Sequence, residues 1–406
     1  MMGGRMFLIF LCMAFGPHGL VRGNHGADVI AGEEPLLIES SGDVVPEGLD
    51  GDPFLGGFPV EAVPIDLPEA AELVTGPPAA AMDAASSERA YVTFDVLLLE
   101  RDNAAINQPL VTEGPLSAGP GGVVLTTRSL VPATAPGVRL FVGRHGCDTV
   151  GWELGYWGCY GFHGDTRADL SVGSPARGGL AVPGQLGDTV AGWDRARTIR
   201  AGWSSSLNVT ELNLLATDFS RLCEPCSPWP ARRCPSEVET DLIGGLFWAG
   251  LAETESLQVT TGTVAPTAYR VATSSNLFGG QIGVRRRRTW DRFAVEGWLK
   301  AGLGGAWLAQ SAAPITNSRA PGTVYRPARE AEDTGMGFLS SMNASFAYRL
   351  SDSWGVRLGY NLAWLNGVAL AGSQFDFDAG QAAGTGVRGA GGVFLHGTNV
   401  GLEGRW

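Results

Sequence analysis

Between Trp354 and Trp364 the chain reads W-G-V-R-L-G-Y-N-L-A-W, and its apolar and polar positions alternate with a period of two. Trp354, Val356, Leu358, Tyr360, Leu362 and Trp364 share one parity, while Gly355, Arg357, Gly359, Asn361 and Ala363 share the other. That period predicts a β-strand, because successive Cβ atoms leave opposite faces of a sheet. The run has the length a tilted strand needs to cross a bilayer. Aromatic residues close it at both ends, as girdles do where lipid meets water. Small and charged residues fill the second face, which suits an enclosed polar interior.

Comparable runs recur along the chain. Following which parity is apolar predicts ten strands, at about 90–101, 137–144, 149–158, 206–219, 240–252, 276–287, 293–308, 337–350, 354–364 and 393–406. The connections alternate in length. Those at 144–149, 288–292 and 351–353 are tight, and those at 102–136, 159–205, 253–275, 309–336 and 365–392 are long. Outer-membrane barrels place short turns on the periplasmic side and long loops outside. The Cys-bearing segment 220–239 is the one long connection on the short-turn side. An even number of strands returns the chain to the side on which it began. The expected fold is therefore all-β: a transmembrane antiparallel up-and-down barrel of ten to twelve strands, preceded by a disordered acidic segment.

Composition sharpens this picture mainly at the N-terminus. Arg5 followed by the apolar run 6–15 resembles a secretory signal peptide, with cleavage expected after Gly23 or after Ala27. No later stretch offers the roughly 18 apolar residues of a transmembrane helix. Residues 24–88 carry fourteen acids and neither Lys nor Arg, with many Pro and Ala, and are expected to form a disordered periplasmic linker. The barrel region 89–406 then holds 27 acids and 27 bases, so the net charge of −12 describes the linker and not a binding surface. No basic surplus points to nucleic acid.

Parity also sorts the charges. The expected interior set is Asp95, Glu153, Glu211, Glu296 and Glu403 with Arg139, Arg285, Lys300, Arg349, Arg357 and Arg405. The two signs nearly cancel, whereas an ion-selective channel calls for a ring of one sign. Barrels of about eight strands are filled by their own side chains, and those of about sixteen leave an aqueous channel. Ten strands fall near the filled end, so low or absent conductance is expected. Trp152, Tyr156, Trp307, Tyr348, Trp354, Tyr360 and Trp364 are the expected aromatic girdle. Arg286 faces out from the run Arg285–Arg288, which is either a solvated turn or a contact to lipid phosphates.

Other chemistry is weakly signalled. Cys147, Cys159, Cys223, Cys226 and Cys234 are odd in number; Cys223 and Cys226 suit a disulfide or inert thiols better than a metal centre with no fourth ligand nearby. Gly384, Gly386 and Gly389 match a dinucleotide fingerprint, but a Gly-rich loop before the last strand lacks the strand–turn–helix context it needs. Asp376 and Asp378 are a fragment of a hard-cation site. His163 with Asp165, or His396 with a serine, offers only a coincidental hydrolase scheme. No cofactor and no catalytic residue is expected.

Six segments carry a family resemblance: Y-V-T-F-D-V-L-L-L-E-R-D-N (91–103), L-N-V-T-E-L-N-L-L (207–215), D-L-I-G-G-L-F-W-A-G-L-A-E-T-E-S-L (241–257), N-L-F-G-G-Q-I-G (276–283), L-G-Y-N-L-A-W-L-N-G-V-A-L-A-G (358–372) and F-L-H-G-T-N-V-G-L-E-G-R-W (394–406). In their order they resemble the type 7 β-barrel porin family of planctomycete bacteria. The resemblance covers about 89–406 and implies an outer-membrane barrel for passive diffusion of small solutes, with no catalytic residue to carry over. The expected alternative is a non-conducting structural or anchoring barrel, with a lipid-modifying rim enzyme a distant third. Val400, Leu402 and Trp406 close the chain like the signal read by barrel-assembly machinery. The expected partners are that machinery, outer-membrane lipid, and a periplasmic partner for the acidic segment.

Overall fold

The computed structural model describes residues 89–114, 122–145, 150–170, 179–217, 238–262, 266–316, 323–378, 380 and 382–406. The leader and linker expected at 1–23 and 24–88 lie outside these residues, as do Cys12, Cys147, Cys223, Cys226 and Cys234. Numbered in chain order, ten long strands form the barrel: β1 (Arg89–Arg101), β4 (Ala135–His145), β5 (Val150–Asp169), β7 (Thr198–Thr217), β8 (Val238–Thr260), β9 (Thr267–Trp290), β10 (Phe293–Ala312), β13 (Arg329–Arg349), β14 (Trp354–Val368) and β15 (Gly391–Arg405). The short strands β2 (Pro109–Glu113), β3 (Val123–Thr126), β6 (Leu180–Ala181), β11 (Ile315–Thr316) and β12 (Val324–Arg326) belong to the loops, as does, among the described residues, the α-helix α1 (Gly184–Thr189).

Every long strand pairs antiparallel with its neighbours, and the ring closes between the first strand and the last. That seam runs from Tyr91↔Arg405 to Arg101↔Leu395. It extends by one backbone step, with the Trp406 amide donating to the Ala90 carbonyl at 3.1 Å and the Ala90 amide donating back at 2.9 Å. Through the lower barrel closure gives every strand a hydrogen-bonded neighbour on both sides, the condition under which a sheet can sit in hydrocarbon. One rim carries the tight turns at Asp291 and 350–353, the connection from β7 to β8 and both ends of the barrel chain; the other carries the remaining connections.

All ten expected strands are present, but most extend further toward the loop rim. β9 runs for 24 residues, against the 9–11 a bilayer requires. Segments expected to be loop, such as 198–205, 253–260, 267–275 and 329–336, are strand. The reason is an inversion of pattern within single strands. Near the turn rim the outward positions are apolar: Phe94, Val96 and Leu98, Leu246 and Trp248, Ile282 and Val284, Leu358, Val400 and Leu402 are all exposed. Toward the loop rim the inward positions become apolar, with Ile199, Ala201, Leu257, Val259, Tyr269 and Val271 buried. Their outward neighbours are Arg200, Ser204, Gln258, Arg270 and Ser274. The lower barrel is thus patterned for lipid outside, and the upper barrel for water outside.

Two bulges shift the parity further. On β5 the register steps from Cys159↔Leu207 to Phe162↔Ser205, so Tyr160 and Gly161 face a single residue of β7. Gly161 takes φ +80° there, a conformation natural to glycine. On β14 the register steps from Asn366 to Val368. The skipped Gly367 has φ +78°, and a Cβ on it would lie 2.3 Å from the Met336 carbonyl oxygen.

Candidate functional site in the barrel interior

Strand pairing brings the inward polar residues of the lower barrel into one network. Asp95 on β1 accepts from Arg139 on β4, at 2.8 Å from Nε and 2.6 Å from Nη2. The Nη1 of Arg139 donates to Asn361 Oδ1 at 2.5 Å. Asn343 Nδ2 bridges Asn361 and Asn399 at 2.9 and 3.0 Å, and Asn399 Nδ2 returns to Asp95 at 3.2 Å. Arg357 reaches Asp95 at 3.4 Å and Ser345 at 2.9 Å. Nearer the turn rim Arg287 donates to Glu403 at 2.6 Å and to Glu296 at 3.0 Å, while Arg405 meets Glu296 at 3.3 Å. Lys300 and Glu211 form a close ion pair, and Gln281 and Asn213 also donate to Glu211.

Some of these contacts cross the full width of the ring. Strands β1 and β9 are five places apart in a ring of ten, so they face each other. Arg285 on β9 nevertheless donates to Tyr91 Oη on β1 at 3.1 Å and to Glu153 on β5 at 2.7 Å. Strands β4 and β10 face each other likewise, and Phe141 meets Trp298 edge to face with ring centroids 6.3 Å apart. The Arg139 guanidinium lies 5.7 Å from the same indole centroid. Two interior cavities lie among these residues, one beside Tyr91, Glu153 and Arg285 and one beside Arg139, Trp157 and Trp298. Each has room for about one water molecule. Charges of both signs pair with each other here and leave no ring of one sign to select an ion.

Above the network the interior turns apolar. Leu97, Leu99, Trp157, Leu207, Phe247, Leu277, Leu308, Leu339, Leu365 and Leu395 form one buried cluster that includes Cys159, a free thiol. At the level of its upper edge, Arg101 pairs with Glu253 and stacks 4.7 Å over Trp203. Glu253 Oε2 accepts from the Ala371 amide at 2.9 Å, which ties a short 3-10 turn at Ala371–Ser373 to the barrel wall. Glu255 sits two residues on with Oε1 buried and without a hydrogen-bond partner among the described residues. The loops then fold inward. Phe375 and Phe377 pack against Tyr269 at 4.9 and 6.1 Å, in one buried cluster with Trp193, Leu186 and residues of the small β3–β2–β6 sheet.

Of the residues expected to face inward, Asp95, Arg139, Glu153, Glu211, Arg285, Glu296, Lys300, Arg357 and Glu403 are buried inside, and Arg405 is partly so. Arg349 has the inward parity but lies past the last full turn of the interior, exposed on the turn rim. Trp152, Trp307, Trp354, Tyr360 and Trp364 are exposed outward, and Tyr156 and Tyr348 are half-buried on the same outer face. Val400, Leu402 and Trp406 face outward from β15.

Inward residues that sequence reading passed over include Tyr91, Trp298, Asp241, Glu253 and Glu255. Trp298 shares parity with Glu296 and Lys300. Glu253 and Glu255 continue the parity of Asp241 past the strand end expected at residue 252. Extending the parity by three residues finds both.

The weaker chemical candidates have structural partners instead. His163 Nδ1 lies 2.9 Å from the Gly161 carbonyl, and Asp165 pairs with Arg200 at 3.1 Å rather than with His163. His396 Nδ1 lies 2.9 Å from Tyr360 Oη on the outer face. The Asp376 carboxylate accepts from the backbone amides of Asp378 and Gly384, at 3.0 and 3.1 Å, and so holds its own loop. Gly384 and Gly386 accept from Gln310 Nε2 in the loop before β15. Among the described residues no group of three or more His, Cys, Asp or Glu side chains is placed to hold a metal ion.

No protein-family profile and no curated protein matches the chain. Solved structures similar to it include the outer membrane protease OmpT from Escherichia coli, at 10% identity and a TM-score of 0.39, covering 80% of this chain and 99% of that one. A Pseudomonas aeruginosa FadL homologue is similar at 9% identity and a TM-score of 0.21, covering 79% and 90%. The toluene transporter TodX of Pseudomonas putida is similar at 5% identity and a TM-score of 0.24, covering 79% and 90%. Likeness this distant carries no argument about family or activity.

Proposed function

We propose that this chain is an outer-membrane barrel that crosses the bilayer without an open channel and serves as a structural anchor of the cell envelope. The observation that carries the reading is contact between facing strands, Tyr91 with Arg285 and Phe141 with Trp298, which occupies the ring from wall to wall. An apolar cluster and infolded loops lie above these contacts. The membrane assignment rests on the closed sheet and on the exposed apolar belt of the lower barrel, which would be an aggregation surface in water. In this reading the turn rim faces the periplasm, the acidic segment 24–88 offers itself to a partner there, and assembly machinery reads Val400, Leu402 and Trp406. The motif resemblance to the planctomycete porin family fits an envelope barrel; passive diffusion of small solutes is the competing reading. No catalytic role is assigned.

Liposome swelling separates the two. Purified full-length protein whose folded and boiled forms migrate differently on a gel is reconstituted, and swelling is followed in isotonic small sugars and amino acids. The anchor reading expects the rate of protein-free liposomes. Swelling that scales with protein content would replace it with a diffusion porin.

A further inference from the structure

The outer face of the lower barrel is apolar on most strands, but on β9 it carries two arginines. Arg286 and Arg288 are both exposed and outward, interleaved with the inward Arg285 and Arg287. Their inward neighbours are consumed by Glu153, Glu296 and Glu403. Arg286 and Arg288 have no carboxylate partner among the described residues. The row above Arg286 is Val284 and Leu299, both exposed, and the row below includes Val295 and Phe346, also exposed. Arg286 therefore stands between two lipid-facing rows, four residues from the end of its strand.

Its own row is small. Arg286 pairs with Thr240 on β8 and Gly297 on β10, and Gly297 in turn pairs with Ala344 on β13. A Cβ on Gly297 would meet nothing nearer than 3.6 Å. The result is a shallow dip in the belt, walled by larger apolar side chains and overlooked by two cations. Arg288 is held over Trp290 at 4.7 Å, and Phe293 packs at a tilt against Tyr348, with ring centroids 5.1 Å apart, along the same rim. Interfacial aromatics mark the level of lipid headgroups. An arginine whose backbone lies within the apolar belt must extend its guanidinium toward that level, where phosphate is the available anion. The planar guanidinium matches a phosphate bidentately, and two of them side by side match a phosphodiester that also carries a net charge.

We propose that Arg286, Arg288, Thr240 and the dip at Gly297 and Ala344 form a site for the headgroup of an anionic glycerophospholipid in the leaflet at the turn rim. The site rests on the outer-membrane reading above. A zwitterionic lipid lacks the net charge that two unpaired arginines reward, and one acyl chain would lie along Val284 and Leu299.

The test uses full-length protein in nanodiscs of equimolar phosphatidylglycerol and phosphatidylcholine. Different migration of folded and boiled protein is checked first, so failure of the barrel reading is seen separately from failure of the site. Lipid retained after mild detergent extraction is then quantified by mass spectrometry. Wild type should retain phosphatidylglycerol about fivefold over phosphatidylcholine, and R286Q/R288Q should lose that preference. Control R270A, with an outward arginine nearer the loop rim, should keep it. Should the double variant fail to fold, G297F keeps both charges but fills the dip, and should lower the preference. Equal retention of the two lipids by wild type, or unchanged preference in R286Q/R288Q or in G297F, would overturn the site.

Discussion

Arg285 and Tyr91 stand on strands that face each other across the ring, yet the guanidinium and the phenol oxygen are 3.1 Å apart. The same guanidinium holds Glu153 at 2.7 Å and Asp241 at 3.3 Å, so one residue of β9 ties together three others. Tyr91 Oη also donates to Glu153 at 2.6 Å, which closes a triangle in the middle of the lower barrel.

Removing one member of that triangle leaves a buried charge without its counter-ion. R285A should lower the unfolding free energy by about 3–5 kcal/mol, because buried Glu153 then loses its ion-pair partner. E153Q combined with R285M should lose less than the two single losses added, since the pair vanishes together. Denaturant titration of the reconstituted barrel checks this. Additive losses would mean that the two groups do not act on each other.

Glu255 lies on the upper part of β8, where the outward positions are Thr254, Ser256 and Gln258, beyond the apolar belt. Burial first, and the Glu253 charge second, push its carboxyl up to about 8. A carboxyl raised in the fold stabilises it fully below the ordinary carboxylate range. That contribution is lost as pH rises through about 8. Unfolding midpoints of wild type should therefore fall between about pH 5 and pH 9 relative to those of E255Q, which keeps the neutral shape. Parallel curves for the two proteins would show that Glu255 is not the group responsible.

Cys159 is fully buried in the apolar cluster and carries a free thiol. Its thiolate would have to form among leucines, so alkylation must wait for unfolding. Peptide mapping after maleimide treatment should find Cys159 unmodified in the folded barrel and modified after boiling in SDS. Labelling of the folded protein at Cys159 would mean that the cluster is open to water.

How far the sequence reveals this fold follows from where its patterns keep one phase. On β14 the alternation from Trp354 to Trp364 is uninterrupted, and the strand stands where that alternation puts it. On β9 the outward apolar set of Phe278, Ile282 and Val284 gives way to an inward apolar set of Tyr269 and Val271. A single period cannot follow that exchange, so the upper halves of the strands read as loops. The bulge at Tyr160 and Gly161 hides the rest of β5 for the same reason. Inward charges such as Asp95, Arg139 and Glu296 were legible by parity, because each lies where one phase holds. What parity cannot give is reach across the ring: nothing in the chain's spacing pairs Phe141 with Trp298 or Tyr91 with Arg285. Those contacts depend on strand number and stagger, which set the barrel's width.

The central claim is that side chains from facing walls fill the interior. Recording from planar lipid bilayers tests it most directly, with wild type beside a variant carrying Phe141→Ala and Trp298→Ala. Wild type should show no steady unit current at any holding potential, with any current confined to the variant whose facing rings have been cut away. Large, stable unit currents from wild-type protein would contradict the account.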